Sequence, residues 1–524
     1  MLNRRLELPR LRSEWVIRST ALNFAAVIIP GFVGIVAIPV AIHGLGSERY
    51  GALSLALVAM SYVSLFDLGL GRATTMHVSA LLAESKVVDL SAFAWTAVLL
   101  QLVLAASGGL TLAIATPYLI DSLFHVPPSL SDESRRLLGW LSASLIPVLL
   151  GSLLRGLLEA AHRFDLVNAV KAPSTAIVLA IPAIVTLVHG DLGSIGLLVF
   201  VAQAVTAVSY AYLAFTAVPI LSLRPSFRRR VARMLLSYGG WVTVYSVLAV
   251  VLSSLDRLIL GNTIPLAELP YYTAPLDALM RLQVIPATIA LTLFPIFSAS
   301  KYSASGDSDS TYASSLRFTA CLMGITCLVL VVFAADILRM WLGQDFESRS
   351  LVPFQILAIA ILFNSLAWLP NAFTLGANRP DIVAKLFGLD LLIYVPTLWF
   401  LVAAAGIQGA ALAVLVRSVV ELAVFFALPS RSVRFPAGAH SLRRLAPLAM
   451  FFLGAAIAAP VAGNLSSWSD VPVVEVGVRA AILVILGLFA WQYVLLTEDR
   501  GHARQLLDYV IRPVRFRSSS GQGD

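Results

Sequence analysis

Arg224-Pro-Ser-Phe-Arg-Arg-Arg-Val-Ala-Arg233 puts five arginines into ten residues, between two apolar runs at 193–221 and 237–261. Each flanking run is long enough to cross a bilayer, because a helix spanning ~30 Å of hydrocarbon needs about 20 apolar residues. Two such runs joined by a basic decapeptide read as two transmembrane helices meeting on the cytoplasmic side. The rest of the chain can be read outward from this point, which lies near its middle.

The same window finds fourteen spans. The first six lie near 17–42, 50–70, 92–120, 137–158, 166–188 and 193–221. The next six lie near 237–261, 271–299, 318–340, 352–376, 383–404 and 407–428, and the last two near 446–463 and 476–496. Composition agrees: of 524 residues 59% are hydrophobic and 13% charged, with a mean hydropathy of +0.87. A soluble surface carries roughly 25% charged residues, so the apolar excess has to face lipid. The net charge of +8 is explained by anionic lipid headgroups rather than nucleic acid, since the basic residues fall in short gaps between spans. Cys321 and Cys327 lie in one apolar run and read as small core residues, not a disulfide or metal pair.

Orientation follows from charge. Even-numbered connections and both ends hold 28 basic residues, among them Arg18, Arg72, Arg155, Arg228 and Lys385. Odd-numbered connections hold five: Arg49, Arg135, Arg136, Arg339 and Arg349. The positive-inside rule therefore places both termini in the cytoplasm. The basic N-terminus leads straight into a run too long for a signal-peptide core, so that run is read as the first span. The tail, 498–524, is basic and semi-apolar and reads as an interfacial helix with a disordered end, Ser518 to Asp524.

A faint internal echo supports two parallel repeats of six spans. Gly44-Leu-Gly-Ser-Glu-Arg-Tyr50 joins spans 1 and 2, and Gly261-Asn-Thr-Ile-Pro-Leu-Ala-Glu268-Leu-Pro-Tyr271 joins spans 7 and 8. Each carries Gly, then an acid, then Tyr opening the next helix. The organisation expected is an N-terminal lobe over 1–223, a basic linker over 224–236, a C-terminal lobe over 237–430, spans 13 and 14 within 431–497, and the tail.

Catalytic signatures are absent: there is no phosphate-binding G-x-x-x-x-G-K-[ST] loop and no H-E-x-x-H zinc motif. No catalytic group, metal or cofactor is therefore expected, and the reading is a transporter rather than an enzyme. What remains is charge inside spans, which is costly in hydrocarbon and usually faces a wet cavity. Span 7 holds Asp256 and Arg257, span 8 holds Asp277 and Arg281, span 11 holds Asp390, and span 12 holds Arg417 and Glu421. Asp67 and Arg72 bracket the inner end of span 2, and Arg18 starts span 1. Asp256 and Arg257 are near enough to the outer face to snorkel, and Arg417 and Glu421 read as an ion pair that helps insertion. Arg281 is near mid-membrane and suits an anion, since a guanidinium binds phosphate through two parallel hydrogen bonds. Asp277 lies one turn before it and is expected to hold it while the site is empty.

Gly44-Leu-Gly-Ser-Glu-Arg-Tyr-Gly51 with Asp67-Leu-Gly-Leu70, and Leu255-Asp-Arg-Leu-Ile-Leu-Gly261 with Tyr271-Tyr272 and the Pro286 to Pro295 helix, resemble the polysaccharide-export flippases. These form the Wzx-like branch of the multidrug/oligosaccharidyl-lipid/polysaccharide superfamily. The sequence departs from that pattern at Ala267-Glu-Leu-Pro270, where the family tends to have Gly before the Tyr. The resemblance implies an all-α membrane protein with two six-helix lobes around a central cationic cavity, plus two C-terminal helices. It implies flipping of undecaprenyl-pyrophosphate-linked oligosaccharide to the outer leaflet of the bacterial cytoplasmic membrane by alternating access. It also implies substrate contacts at Arg18, Arg72, Arg257 and Arg281, with Asp67, Asp256 and Asp277 gating or coupling. Partners implied are the lipid-linked substrate, membrane lipids, and a polysaccharide polymerase with other envelope-assembly proteins. Three other readings compete: a lipid II flippase, a drug/cation antiporter of the same superfamily, and a non-transporting scaffold.

Overall fold

The computed structural model describes residues 13–67, 70–83, 87–161, 163–217, 226–238, 240–290, 293, 307–377 and 379–427. Spans 13 and 14 and the tail lie outside the described residues. Among those residues every regular element is helical. The chain divides into two compact units, Met1–Leu282 with Pro380–Val414, and Gln283–Arg379 with Leu415–Asp524.

The first unit opens with α1 (Ser13–Leu45) and α2 (Ser47–Val63). Between them stands Gly46, at a φ of +80°. That left-handed conformation lets one helix end and the next begin within a single residue, and only glycine adopts it without strain. A 3₁₀ turn over Ser64–Asp67 ends the second span, and α3 (Leu70–Ala83) follows. Three long spans come next: α4 (Val87–Tyr118), α5 (Pro128–Ala160) and α6 (Phe164–Leu187). With α7 (Leu192–Ala217) they form a bundle in which α5 packs along α4 and α7, and α6 along α1.

The basic run ends in a short helix, α8 (Arg229–Tyr238). Ala232 and Leu235 are buried, with Val231 beside them, against Leu70, Leu90 and Phe93. Arg228, Arg229, Arg230 and Arg233 are exposed. Helical periodicity thus turns the apolar residues of the linker onto the bundle and its arginines outward.

After α8 come α9 (Gly240–Thr263) and α10 (Pro270–Met280), with a 3₁₀ turn over Leu266–Glu268 between them. The eighth span is not one helix. A 3₁₀ turn at Arg281–Gln283 follows α10, and a second helical piece runs over 284–290. Pro286 has no N–H to offer the carbonyl of Leu282, so the α-helical ladder breaks there.

In the second unit α11 (Asp307–Val332), α12 (Ala334–Trp341) and α13 (Gln344–Gly376) pack in sequence. The ninth span was expected to run to 340; it ends at Val332, and α12 is a separate helix. Only Leu338 and Ala334 of α12 are buried. The last described element, α14 (Pro380–Ala427), is 48 residues long and broken at Ala405 and Gly406. Gly406 has a φ of +53°, so spans 11 and 12 separate in the 404–407 gap expected from sequence. Among the described residues ten stretches are long and apolar enough to cross a membrane, counting α14 as one. Dividing α14, and adding the broken eighth span, accounts for spans 1 to 12.

Candidate functional site: a charged cluster on spans 7 and 8

Span 2 runs antiparallel to α9, and the two approach closely. A methyl group at Gly261 would meet the side chain of Leu55, and one at Gly51 would strike the carbonyl oxygen of Leu266. Further along, the Tyr62 hydroxyl donates to the carbonyl of Val251 at 3.4 Å. Gly44 and Gly261, which open the two segments of the sequence echo, both let helices touch: a methyl group at Gly44 would meet the side chain of Thr186 on α6. On the α10 side, the Ser54 and Thr273 hydroxyls lie 3.4 Å apart.

This packing brings the charges of α9 and α10 together. Arg257 donates to Asp277 Oδ1 at 2.7 Å, and both are largely shielded, with side-chain exposures of 17% and 32%. The neighbouring Asp256 is 2% exposed and accepts a hydrogen bond from the Tyr272 hydroxyl. Two expectations are corrected here. Asp277 pairs across to Arg257 rather than with Arg281 one turn along its own helix, because α9 lies alongside that face of α10. Asp256 and Arg257 are held in place by partners on α10, the buried Tyr272 and the half-buried Asp277, rather than reaching away as snorkelling would require.

Arg281 makes no ion pair with any described residue. Its guanidinium lies against α1, where the absent side chain of Gly34 leaves it room; a methyl group there would overlap Nη1 and Nη2. Its Nε is buried without a hydrogen-bond partner, as are Arg257 Nε and Asp256 Oδ1. Tyr50, 6% exposed, lies within electrostatic reach of Asp277, Arg257 and Arg281. Sequence reading did not mark Gly34, Tyr50 or Tyr272 as site residues, since they carry no charge.

The remaining candidates lie apart. Asp67 accepts from Gln101 Nε2 at 3.0 Å, and Gln101 is fully buried. The side chains of Arg18 and Arg72 lie outside the described residues. In the second unit Glu421 accepts from Asn364 at 3.2 Å, with the charge of Arg417 acting on it. Cys321 and Cys327 are buried and not joined in a disulfide, and among the described residues no group of acids, histidines and cysteines could hold a metal.

Four ionisable groups in one shielded place, two of each sign, formally sum to zero. A multiply charged anion arriving there can be matched only if Arg257 is released from Asp277 or a carboxylate takes up a proton. Guanidinium groups with unused N–H donors offer the bidentate geometry that phosphate oxygens accept.

The family model for polysaccharide biosynthesis proteins matches residues 44–351, more than half of the chain and the whole of this cluster. The chain belongs to the polysaccharide biosynthesis protein family. A Shigella flexneri protein named for O-antigen transport is 25% identical over 411 residues, covering 78% of this chain and 96% of the relative. Among solved structures, the lipid II flippase MurJ in an inward closed conformation superposes with a TM-score of 0.69 at 12% identity. It covers 94% of this chain and all of that one. An inward-facing multidrug-resistance MATE transporter of the MOP superfamily gives a TM-score of 0.62 at 14% identity, covering 77% and 96%. These likenesses establish the fold: an all-α, multi-pass membrane protein with about fourteen spans, in a family of polysaccharide biosynthesis.

Proposed function

We propose that this chain flips a lipid-linked oligosaccharide, carried on undecaprenyl pyrophosphate, from the inner to the outer leaflet of the bacterial cytoplasmic membrane. Arg281 is the observation that carries the reading. It is a mid-span guanidinium with no ion pair among the described residues, set at the break in span 8 and given room by Gly34. Discontinuous helices with polar groups at the break are a recurring way to build a substrate site in transporters. The pyrophosphate is bound by Arg281 and by Arg257 once Asp277 lets it go; Arg18 and Arg72 add positive charge along the route. Asp67, Asp256 and Asp277 gate or couple the movement, and alternating access occurs by rocking of the two lobes, 1–223 and 237–430. Both termini are cytoplasmic, and a polymerase consumes the flipped product.

The test is chromosomal deletion, followed by mass spectrometry of undecaprenyl-linked intermediates sorted by leaflet accessibility. Loss of a surface glycan with build-up of its lipid-linked unit on the inner leaflet is the expected result, and Arg281→Ala reproduces it. Build-up of lipid II with lysis would make the chain a lipid II flippase instead. Normal transport by both Arg281→Lys and Arg281→Ala would remove the phosphate role assigned to Arg281.

A further inference from the structure

The second unit holds a different kind of polar site, built almost wholly of neutral groups. Trp368 on α13 donates its indole N–H to Gln283 Oε1 at 2.8 Å. Gln283 donates in turn to Asn364 Oδ1 at 2.9 Å, and Asn364 donates to Glu421 Oε2 at 3.2 Å. The chain of bonds runs in one direction, from indole through two amides to a carboxylate. Asn364, Trp368 and Asn371 follow at helical spacing and share one face of α13. Asn371 has a buried amide oxygen with no hydrogen-bond partner, and Trp368 keeps 36% of its surface exposed.

A face turned to hydrocarbon would not carry two asparagines, because lipid can satisfy none of their hydrogen bonds. Nor is Trp368 placed as an interfacial anchor, whose indole N–H would reach headgroups; its N–H is engaged inside the protein. Tethering that N–H fixes the ring and leaves an aromatic surface available beside groups that can both donate and accept. Pyranose rings ask for this chemistry: an apolar C–H face to lie on an aromatic ring, and vicinal hydroxyls to exchange hydrogen bonds with amides and a carboxylate. Trp368 lies about 12 Å of helix rise from the inner end of α13, and Glu421 about 9 Å from that of α14. In the orientation proposed above, both are in the half of the membrane that a glycan entering from the cytoplasm meets first.

We infer that Trp368, Gln283, Asn364, Asn371 and Glu421 form a subsite for an uncharged sugar ring of the lipid-linked glycan. Glu421 and Asn371 Oδ1 accept from hydroxyls, and Gln283 positions the indole. The inference rests on the flippase reading, so its test separates the two. The full-length chain in lipid nanodiscs is titrated with two probes. One is the lipid-linked oligosaccharide extracted from the deletion strain; the other is undecaprenyl pyrophosphate, which has the same lipid and phosphates but no sugar.

The glycan-bearing probe is expected to bind about tenfold more tightly, the scale of one good aromatic contact. Trp368→Leu abolishes that difference without changing affinity for the bare lipid, whereas Trp368→Phe retains most of it. Equal binding of both probes by the unsubstituted chain overturns the sugar subsite and leaves the flippase reading standing. A parallel loss for both probes in Trp368→Leu and Trp368→Phe assigns the residue to packing and also overturns the subsite. Failure of the unsubstituted chain to bind either probe overturns the flippase reading, and the subsite with it.

Discussion

The Arg257–Asp277 pair inside the first unit and the ion pairs of the outer connections use the same groups in opposite surroundings. All five arginines that break the positive-inside pattern are paired: Arg49 with Glu133, Arg135 with Asp121, Arg136 with Asp191, Arg339 with Glu347 and Arg349 with Asp345. Most are wet, with the Arg135 and Asp121 side chains 47% and 51% exposed. Water already solvates such groups, so the pairs add little stability; what they do is neutralise the arginines where they stand. Arg257 and Asp277 are withdrawn from water, so each becomes a liability when the other is removed. The difference teaches that the same bond is nearly neutral for stability where water reaches it and costly to break where water does not.

The largest effect is expected at the buried pair. Asp277→Ala strands Arg257 and should lower stability by about 3–5 kcal/mol, read as a fall in melting temperature of the purified protein. Adding Arg257→Ala should recover most of that loss, though not transport. A single-variant cost near that of a surface pair would break the comparison.

Next comes Gly34→Ala. Its methyl group has to displace the Arg281 guanidinium, at a strain of about 1–3 kcal/mol. Surface-glycan export should fall together with affinity for undecaprenyl pyrophosphate, and unchanged export would deny Arg281 its seat. At Gln101, which donates to Asp67, alanine leaves a shielded carboxylate short of a donor. A loss of about 1–3 kcal/mol is expected, again from melting.

The smallest effects belong outside. Arg135→Ala should change stability by no more than about 0.5 kcal/mol. Asp191 sharpens the comparison through pH. The Ser194 hydroxyl and backbone N–H donate to it at 2.6 and 2.9 Å, and with Arg136 nearby they hold its carboxyl below the usual range. The depressed value means its contribution is fully present above an unfolded pKa of about 3.9 and is lost as pH falls through the lower folded value. The gap in melting temperature between the native chain and Asp191→Asn should therefore be constant near neutrality and close below about pH 4.

Much of the fold was legible from residues alone. Apolar run length located spans 1 to 12, including the 404–407 break where Gly406 supplies the left-handed φ. It set the starts of spans 4, 9 and 10 about two to three turns late, because polar residues open those helices, which begin at Pro128, Asp307 and Gln344. The ninth span was overrun because Ala334–Trp341 is apolar enough to extend it, and hydropathy does not register a change of helix direction. The charged candidates were found because a charge in an apolar run is conspicuous. Gly34 and Asn364 were not, and Tyr272 stood out only as part of the Tyr271-Tyr272 motif, since glycine, phenol and amide groups barely alter hydropathy. For the second polar site the signals available were the charge of Glu421 in span 12, Gln283 in span 8, and the 364, 368, 371 spacing on span 10.

By itself the sequence determined the class and the approximate number of crossings, and it carried an expectation of their direction. Those follow from transfer free energies and charge asymmetry, which are sums over local composition. Only the tertiary structure decided which charges meet. Asp277 has an arginine one turn away on its own helix and another, Arg257, on the span before, and choosing between them depends on how α9 and α10 rotate against each other. That rotation is set by how both helices pack on α2, where Gly261 lets α9 touch Leu55 and Gly51 lets α2 approach the carbonyl of Leu266. No local property of the chain encodes it.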